Sequence, residues 1–217
     1  MPSGRDARAL EELAGEHGLR ARVASVDDPA SLDRALAGTV AVINCAGPFA
    51  STTGPVIDAA LRAKIPYLDV AAEIEANLDT FAHYRERARE SGAVIVPAMA
   101  FFGGLGDLLA TAAMGDWAEA DEAHIAYALS SWHPTTGTRL SGAVSRERRG
   151  GHRLRYGGGR WERRTDAAPT LEWAFPEPVG PRPPHTPPGT PARRAGPGPG
   201  AFRSTAGRNA GGLRSTP

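Results

Sequence analysis

The most constraining feature of this sequence is a regular alternation of short apolar runs with helical segments over its first half. The runs Val40–Ile43 and Ala93–Val96 are separated by stretches in which apolar residues recur at helical spacing and glycines mark the ends. Strands that alternate with helices in this way are typical of β-α-β units on a parallel sheet. Continuous apolar runs are typical of parallel strands buried on both faces. The pattern therefore predicts an α/β fold.

Caps, glycines and prolines place the individual elements. The predicted strands are Arg20–Ala24, Val40–Ile43, Tyr67–Val70 and Ala93–Val96. The predicted helices are Ala7–His17 with Asp6 as its cap, one from Asp28-Pro29 to Gly38, one from Gly54-Pro55 to about Lys64, one that ends at Gly92, and Leu105–Met114.

Beyond this series the pattern changes to that of short antiparallel strands. A strand is predicted at Ala123–Leu129, and a hairpin joins His152–Tyr156 to Trp161–Arg164 through Gly157–Gly159. We therefore expect a partial Rossmann-type domain over residues 1–118 and a partial second domain, for substrate binding or dimerisation, over 119–178.

Residues 179–217 form a third region, which is rich in Pro, Gly, Ala and Arg from Pro181 onward. Such a composition buries too little apolar surface to offset the entropy of ordering, so we expect a disordered tail. Because codons for these four amino acids are built from G and C, a shifted reading frame would produce this tail. A natural disordered tail is the alternative.

The composition excludes several classes of function. The net charge of +1 gives no bulk field that would attract nucleic acid. No apolar run approaches the roughly 18 residues of a spanning helix or forms a signal-peptide core, so we expect a soluble cytoplasmic protein. The single cysteine and the scattered histidines do not have the sequence spacing of metal ligands, so we expect no metal site. A small-molecule substrate is expected, and homo-oligomerisation is left open.

Polar residues that follow the predicted strands are the candidate ligand-binding residues, because open parallel sheets bind ligands beyond the carboxyl ends of their strands. Asn44 follows the predicted strand Val40–Ile43 and begins a turn of small residues, although a plain strand-to-helix connection also favours Asn and Gly. Asp27 is placed where its carboxylate could contact an adenine. Alternatively, Asp27 caps the following helix, a role for which Asp28 is better placed. Arg5 is placed to meet a ribose phosphate, and the alternative is a solvated surface charge.

Four segments, in this order and spacing, resemble the saccharopine dehydrogenase-like NADP-binding family, which includes trans-acting enoyl reductases. The segments are Gly4-Arg5-Asp6, Val26-Asp27-Asp28, Asn44–Phe49 with Gly54-Pro55, and Tyr67–Glu73. The resemblance implies an NADP-dependent oxidoreductase, with NAD left open as the cofactor. Hydride would pass to or from a small organic substrate held between the Rossmann domain and the second domain.

The resemblance also implies roles for individual residues. Those expected to bind the cofactor are Arg5, Asp27, Asn44, Ala46, Gly47, Pro48 and Phe49. Those expected to face the substrate cleft are Tyr67, Asp69 and Glu73. Tyr67 is a candidate proton donor, and a buried packing tyrosine is the equal alternative.

The sequence departs from the family pattern at one point. The family opens with a strand, a G-x-x-G-x-x-G turn, a helix and a second strand, and this chain contains none of them. The run Gly103–Gly106 has the wrong spacing and indicates only the start of a helix. We therefore expect an incomplete Rossmann-type sheet without its central first strand, and impaired activity. The alternative is a non-catalytic remnant or interaction module.

Overall fold

The computed structural model describes residues 1–120, 123–129, 133–157 and 160–167, and confirms the α/β class with parallel strands. Its helices are α1 Ala7–Glu16, α2 Pro29–Leu36, α3 Phe49–Ala63, α4 Ile74–Ser91, α5 Gly104–Met114 and α6 Thr136–Arg148. Its strands are β1 Ser3–Gly4, β2 Arg22–Val23, β3 Val42–Asn44, β4 Tyr67–Asp69, β5 Ile95–Val96, β6 Arg153–Gly157 and β7 Arg160–Arg164.

The first helices begin where their caps predict. The Asp6 carboxylate accepts the Ala9 N–H at 3.0 Å at the start of α1. The Asp28 carboxylate accepts the Ser31 N–H at 3.2 Å at the start of α2, so Asp28 and not Asp27 is the cap. Gly92 ends α4 with a φ of 65°, a left-handed conformation that glycine adopts without steric cost.

The parallel strands form two separate sheets that share one layer of helices. β1 pairs with β2, and the other sheet has the order β3-β4-β5, with Val42 opposite Tyr67 and Leu68 opposite Val96. A single apolar core joins Ala24, which follows β2, to Leu36 of α2 and Ile57 of α3. Within the described residues no strand pairing connects the two sheets, so β3 is an edge strand.

The expectation that the apolar runs are buried on both faces is wrong. Val42 packs against the core, but Ile43 on the opposite face is 64% exposed and Val40 is 87% exposed. Val94, before β5, is 54% exposed. The core beside α2 and α3 covers only one face of these strands.

Helix α3 begins earlier than the sequence predicts. It starts at Phe49, with Pro48 as its N-cap, so Gly54 and Pro55 lie inside the helix and not at its start. The Pro48 side chain offers no cap, but Glu73, distant in sequence, accepts the first N–H groups of the helix. A long-range contact therefore replaces the local signal that the prediction used.

The chain divides into two compact units: the first comprises residues 1–105 and 135–151, and the second comprises the described residues between 106 and 134 and between 152 and 167. Helix α6 belongs to the first unit because it packs on α3 and α4. In the described part of the second unit, the predicted hairpin is present as the antiparallel pair β6–β7. The predicted strand at Ala123–Leu129 is wrong, because these residues form no pairing with another described strand.

The predicted tail, residues 179–217, lies outside the described residues. Within the described ranges, every helix is too short or too polar to cross a membrane.

Candidate functional site

The carboxyl end of β3 carries Asn44, whose buried amide organises the turn that follows it. Asn44 Oδ1 accepts the Ala46 N–H at 3.0 Å. Its Nδ2 donates to the Tyr67 hydroxyl and to Thr52 Oγ1, each at 3.3 Å. Thr52 Oγ1 in turn donates to the Ala46 carbonyl. Asn44 therefore fixes the backbone of the turn through groups that the protein itself supplies.

At the end of β4, Tyr67 and Asp69 are both buried and hydrogen-bonded to each other. The Tyr67 hydroxyl donates to Asp69 Oδ2 at 2.9 Å. Asp69 Oδ1 accepts the N–H groups of Ala71 and Ala98, at 3.0 and 2.8 Å. One carboxylate thus joins the loop after β4 to the loop after β5.

Burial raises the pKa of Tyr67 well above its usual value, and the neighbouring Asp69 charge raises it further. The phenol is therefore protonated at neutral pH, and its proton is directed to Asp69. Since the ring is fully buried, this geometry favours the packing alternative for Tyr67.

Glu73, the third residue expected in the cleft, is buried at the start of α3. Its Oε1 accepts the Phe49 N–H at 2.8 Å and its Oε2 accepts the Ala50 N–H at 3.0 Å. Only 2% of the Glu73 surface is exposed. Both carboxylate oxygens are therefore directed at the helix and away from solvent.

The turn that these buried groups support is itself open to solvent. Cys45, Ala46 and Gly47 are exposed and Pro48 is half-buried, with a cis peptide bond between Gly47 and Pro48. By contrast, the Phe49 side chain packs against Ala71 and Ala76 in a small core. Backbone groups of the turn are therefore open to a ligand, whereas the Phe49 ring faces this small core.

Helix α6 approaches this turn. A Cβ atom built on Gly47 would lie 2.6 Å from Ser141 Oγ, so glycine leaves the space that Ser141 requires. The helix is held on α4 by an Arg148–Asp79 ion pair of 2.6 Å and by a Ser145–Glu75 hydrogen bond of 2.6 Å. The sequence reasoning missed Ser141 because it did not predict α6, although Thr135 is a helix-capping residue at the correct place.

Arg5 and Asp27 follow the neighbouring strands β1 and β2. The register sets Gly4 opposite Val23, so both side chains lie beyond the carboxyl ends of this parallel pair, and both are exposed. Within the part of the chain that the structure describes, the Asp27 carboxylate interacts only with the nearby Ser25, whose hydroxyl lies 3.4 Å from its Oδ2. Among the described residues, Arg5 makes no side-chain hydrogen bond or ion pair, and its guanidinium is available to an anion.

The predicted site residues therefore fall into two groups. The structure brings Asn44, Tyr67 and Asp69 into one buried network, with Glu73 beside the same turn. Arg5 and Asp27 belong to the other sheet. No cluster of three or more metal-ligating side chains occurs among the residues that the structure describes.

Comparison with known proteins gives matches over part of the chain. Residues 2–96 match the family described as the saccharopine dehydrogenase NADP binding domain. A curated relative, a probable mitochondrial saccharopine dehydrogenase-like oxidoreductase of Arabidopsis thaliana, is 38% identical over 78 residues. That match covers 36% of this chain and 17% of the relative, so the chain spans only a small part of that protein's length.

Three solved structures are also similar. Apo saccharopine dehydrogenase (L-Glu forming) from Saccharomyces cerevisiae is 20% identical with a TM-score of 0.45, over 52% of this chain and 24% of the other. Triphenylmethane reductase from Citrobacter sp., complexed with NADP(H), is 21% identical with a TM-score of 0.33, over 43% and 37%. An NADPH-dependent quinone oxidoreductase from Escherichia coli is 20% identical with a TM-score of 0.35, over 66% and 52%. Residues 2–96 of the chain are thus similar to the saccharopine dehydrogenase NADP binding domain family.

Proposed function

We propose that this chain carries part of the NADP site of an oxidoreductase of the saccharopine dehydrogenase and enoyl reductase type. The main support is the match of residues 2–96 to a family of NADP-binding domains. The substrate would be a small organic molecule. Localisation in the cytoplasm and assembly into a homo-oligomer both stay predictions.

Arg5 and Asp27 are the proposed contacts to the adenosine half of the cofactor. The exposed Arg5 guanidinium, which has no partner among the described residues, can pair with a ribose phosphate through charge-assisted hydrogen bonds. Asp27 does not cap α2, since Asp28 does, and its carboxylate is exposed beside the end of β2. Its free oxygen can therefore accept from an adenine amino group.

The turn from Ala46 to Pro48 is the proposed contact to the ribose and nicotinamide half. Its exposed backbone has no bulky side chain, and Asn44 holds it in one conformation. The bound cofactor would supply the hydride, and the protein would supply binding and orientation. In this proposal Asn44, Tyr67, Asp69 and Glu73 act from beneath the cleft, by shaping the loops that line it. A role of Tyr67 as proton donor stays a prediction.

The Arg5 assignment is tested by cofactor preference. Loss of hydrogen bonds to a charged phosphate costs roughly 1.5–3 kcal/mol, so Arg5→Ala should lower the preference for NADPH over NADH by about ten- to a hundredfold. Both affinities can be measured by titration of amide chemical shifts. Arg20→Ala is the matched control, because Arg20 is an exposed arginine at the opposite end of β2. If Arg5→Ala and Arg20→Ala give the same ratio as the wild type, Arg5 is only a surface charge.

A non-catalytic interaction module is the second candidate. It is favoured by the exposed apolar side chains of Ile43, on the edge strand β3, and of Val40, just before it, because open apolar strand edges pair readily with other chains. This candidate predicts self-association or partner binding that NADPH does not change. NADPH-induced shifts at Arg5 and Gly47 would decide against it.

A further inference from the structure

The amino end of α3 is already occupied by a carboxylate of the protein. The first N–H groups of a helix have no partner within the helix, and together with the helix dipole they form a ready site for an anion. Here the N–H groups of Phe49 and Ala50 both donate to Glu73, one to each carboxylate oxygen. Glu73 lies on the loop after β4 and reaches across to the helix that follows β3.

We infer that Glu73 is a positioning residue that fixes the Ala46–Pro48 turn for the ribose and nicotinamide groups of a dinucleotide, and that α3 binds no phosphate. This inference rests on the proposed function. Its content is that one buried carboxylate, that of Glu73, orients the turn. Glu73 acts through the backbone of α3 and touches neither cofactor nor substrate.

The turn is held from both of its ends. At its start, Asn44 Oδ1 accepts the Ala46 N–H at 3.0 Å. At its end, Glu73 accepts the N–H groups of Phe49 and Ala50, the two residues directly after Pro48. The exposed residues between these anchors are thus oriented before any ligand arrives, which lowers the ordering cost of binding.

The charge of Glu73 also decides which part of a dinucleotide can lie here. A carboxylate at a helix N-terminus uses the N–H groups that a phosphate would need, and its negative charge repels a second anion. The turn above it is therefore suited to ribose hydroxyls and a carboxamide. The pyrophosphate must be bound by other groups.

Amide hydrogen exchange on the full chain tests the anchoring. In the wild type, we expect the amides of Phe49 and Ala50 to be protected although they are first-turn amides. In Glu73→Ala both should exchange at least about tenfold faster, as expected for loss of a hydrogen bond to a charged group, and in Glu73→Gln at least one should, because the glutamine side chain keeps a single acceptor oxygen. The control Asp28→Ala, which removes the carboxylate cap of α2, should leave both amides unchanged. Unprotected amides in the wild type, or unchanged exchange in both Glu73 variants, would overturn the inference.

Chemical-shift titrations with NADPH and with inorganic phosphate test the cofactor assignment. Phosphate alone should not shift Phe49 or Ala50 in the wild type, and a specific shift there would overturn the inference. NADPH should shift Arg5 and Gly47 in the wild type, whereas Glu73→Gln should lose the Gly47 shift and keep that of Arg5. Equal shifts in both proteins contradict the positioning role. Absence of NADPH shifts from the wild type contradicts the proposed function instead, and the exchange and phosphate experiments then decide on Glu73 alone.

Discussion

At the scale of single residues, the Tyr67 hydroxyl is predicted to contribute to the free energy of unfolding. Its buried hydroxyl donates to Asp69 and accepts from Asn44, so Tyr67→Phe leaves both groups without this partner. Each buried polar group without a partner costs about 1–3 kcal/mol, and the free energy of unfolding should fall by a similar amount. Urea unfolding at neutral pH measures this loss.

The same residue predicts a dependence of stability on alkaline pH. Burial raises the pKa of Tyr67, so above about pH 10 the unfolded chain loses the phenol proton while the folded chain retains it. The folded state then binds more protons, and the free energy of unfolding falls as pH rises. Tyr67→Phe should make this decline shallower. Burial also raises the pKa of the half-buried Tyr84, so Tyr84→Phe is the comparison, and an equally large effect there would argue against Tyr67 as the main cause.

Gly47 is predicted to separate cofactor binding from folding. Gly47→Val places a side chain in the exposed turn and should weaken NADPH binding about tenfold or more, since it blocks close approach of the backbone. The new Cβ would also meet Ser141 Oγ at 2.6 Å, which is a second way to lose affinity. The double variant with Ser141→Ala removes that contact. Affinity should stay low in the double variant, and its recovery would mean that Gly47 acts only through α6.

At the scale of secondary-structure elements, Asp69 couples the loops after β4 and β5. Its Oδ1 accepts from Ala71 and Ala98 and its Oδ2 from Tyr67, so an asparagine cannot replace both oxygens. Asp69→Asn should therefore destabilise the fold by roughly 1.5–3 kcal/mol. Asp33→Asn, which breaks an exposed ion pair with Arg62, should cost less than about 1 kcal/mol. Equal unfolding free energies for the two variants would contradict the role of Asp69.

Elements with local signals could be predicted from the sequence, and those that depend on distant contacts could not. Asp6 and Asp28 cap α1 and α2 from one residue away, and these helices begin where the sequence predicts. The start of α3 depends on Glu73, 24 positions from Phe49, and the prediction placed it too late. Helix α6 was not predicted although Thr135 caps it locally, and its packing on α4 depends on the Arg148–Asp79 contact between residues 69 positions apart.

The candidate site divides in the same way. That polar residues would gather at the strand ends follows from the order of strands and helices, and Asn44 and Asp69 lie there. The direction in which these side chains point does not follow from the order of strands and helices. The side chains of Asp69 and Glu73 are buried under the loops, because backbone N–H groups there require acceptors.

For the whole molecule, the two parallel sheets share a core without a strand ladder between them in the described residues. Neither of the usual pyrophosphate sites is available: the 217 residues contain no G-x-x-G-x-x-G turn, and Glu73 fills the amino end of α3. In our proposal the described residues therefore offer contacts to the two ends of a dinucleotide and few to its centre. We expect specific but weak binding.

The most direct test of this account is a titration of the 217-residue chain with NADPH, followed residue by residue through backbone amide shifts. The account predicts saturable shifts at Arg5, Asp27 and Gly47, no shifts in the hairpin β6–β7, and a Kd of roughly millimolar order, about 4 kcal/mol of binding free energy. Shifts confined to the hairpin, or no saturable shifts at the strand ends, would contradict the proposed site. Micromolar affinity would contradict the conclusion that the centre of the dinucleotide is poorly held.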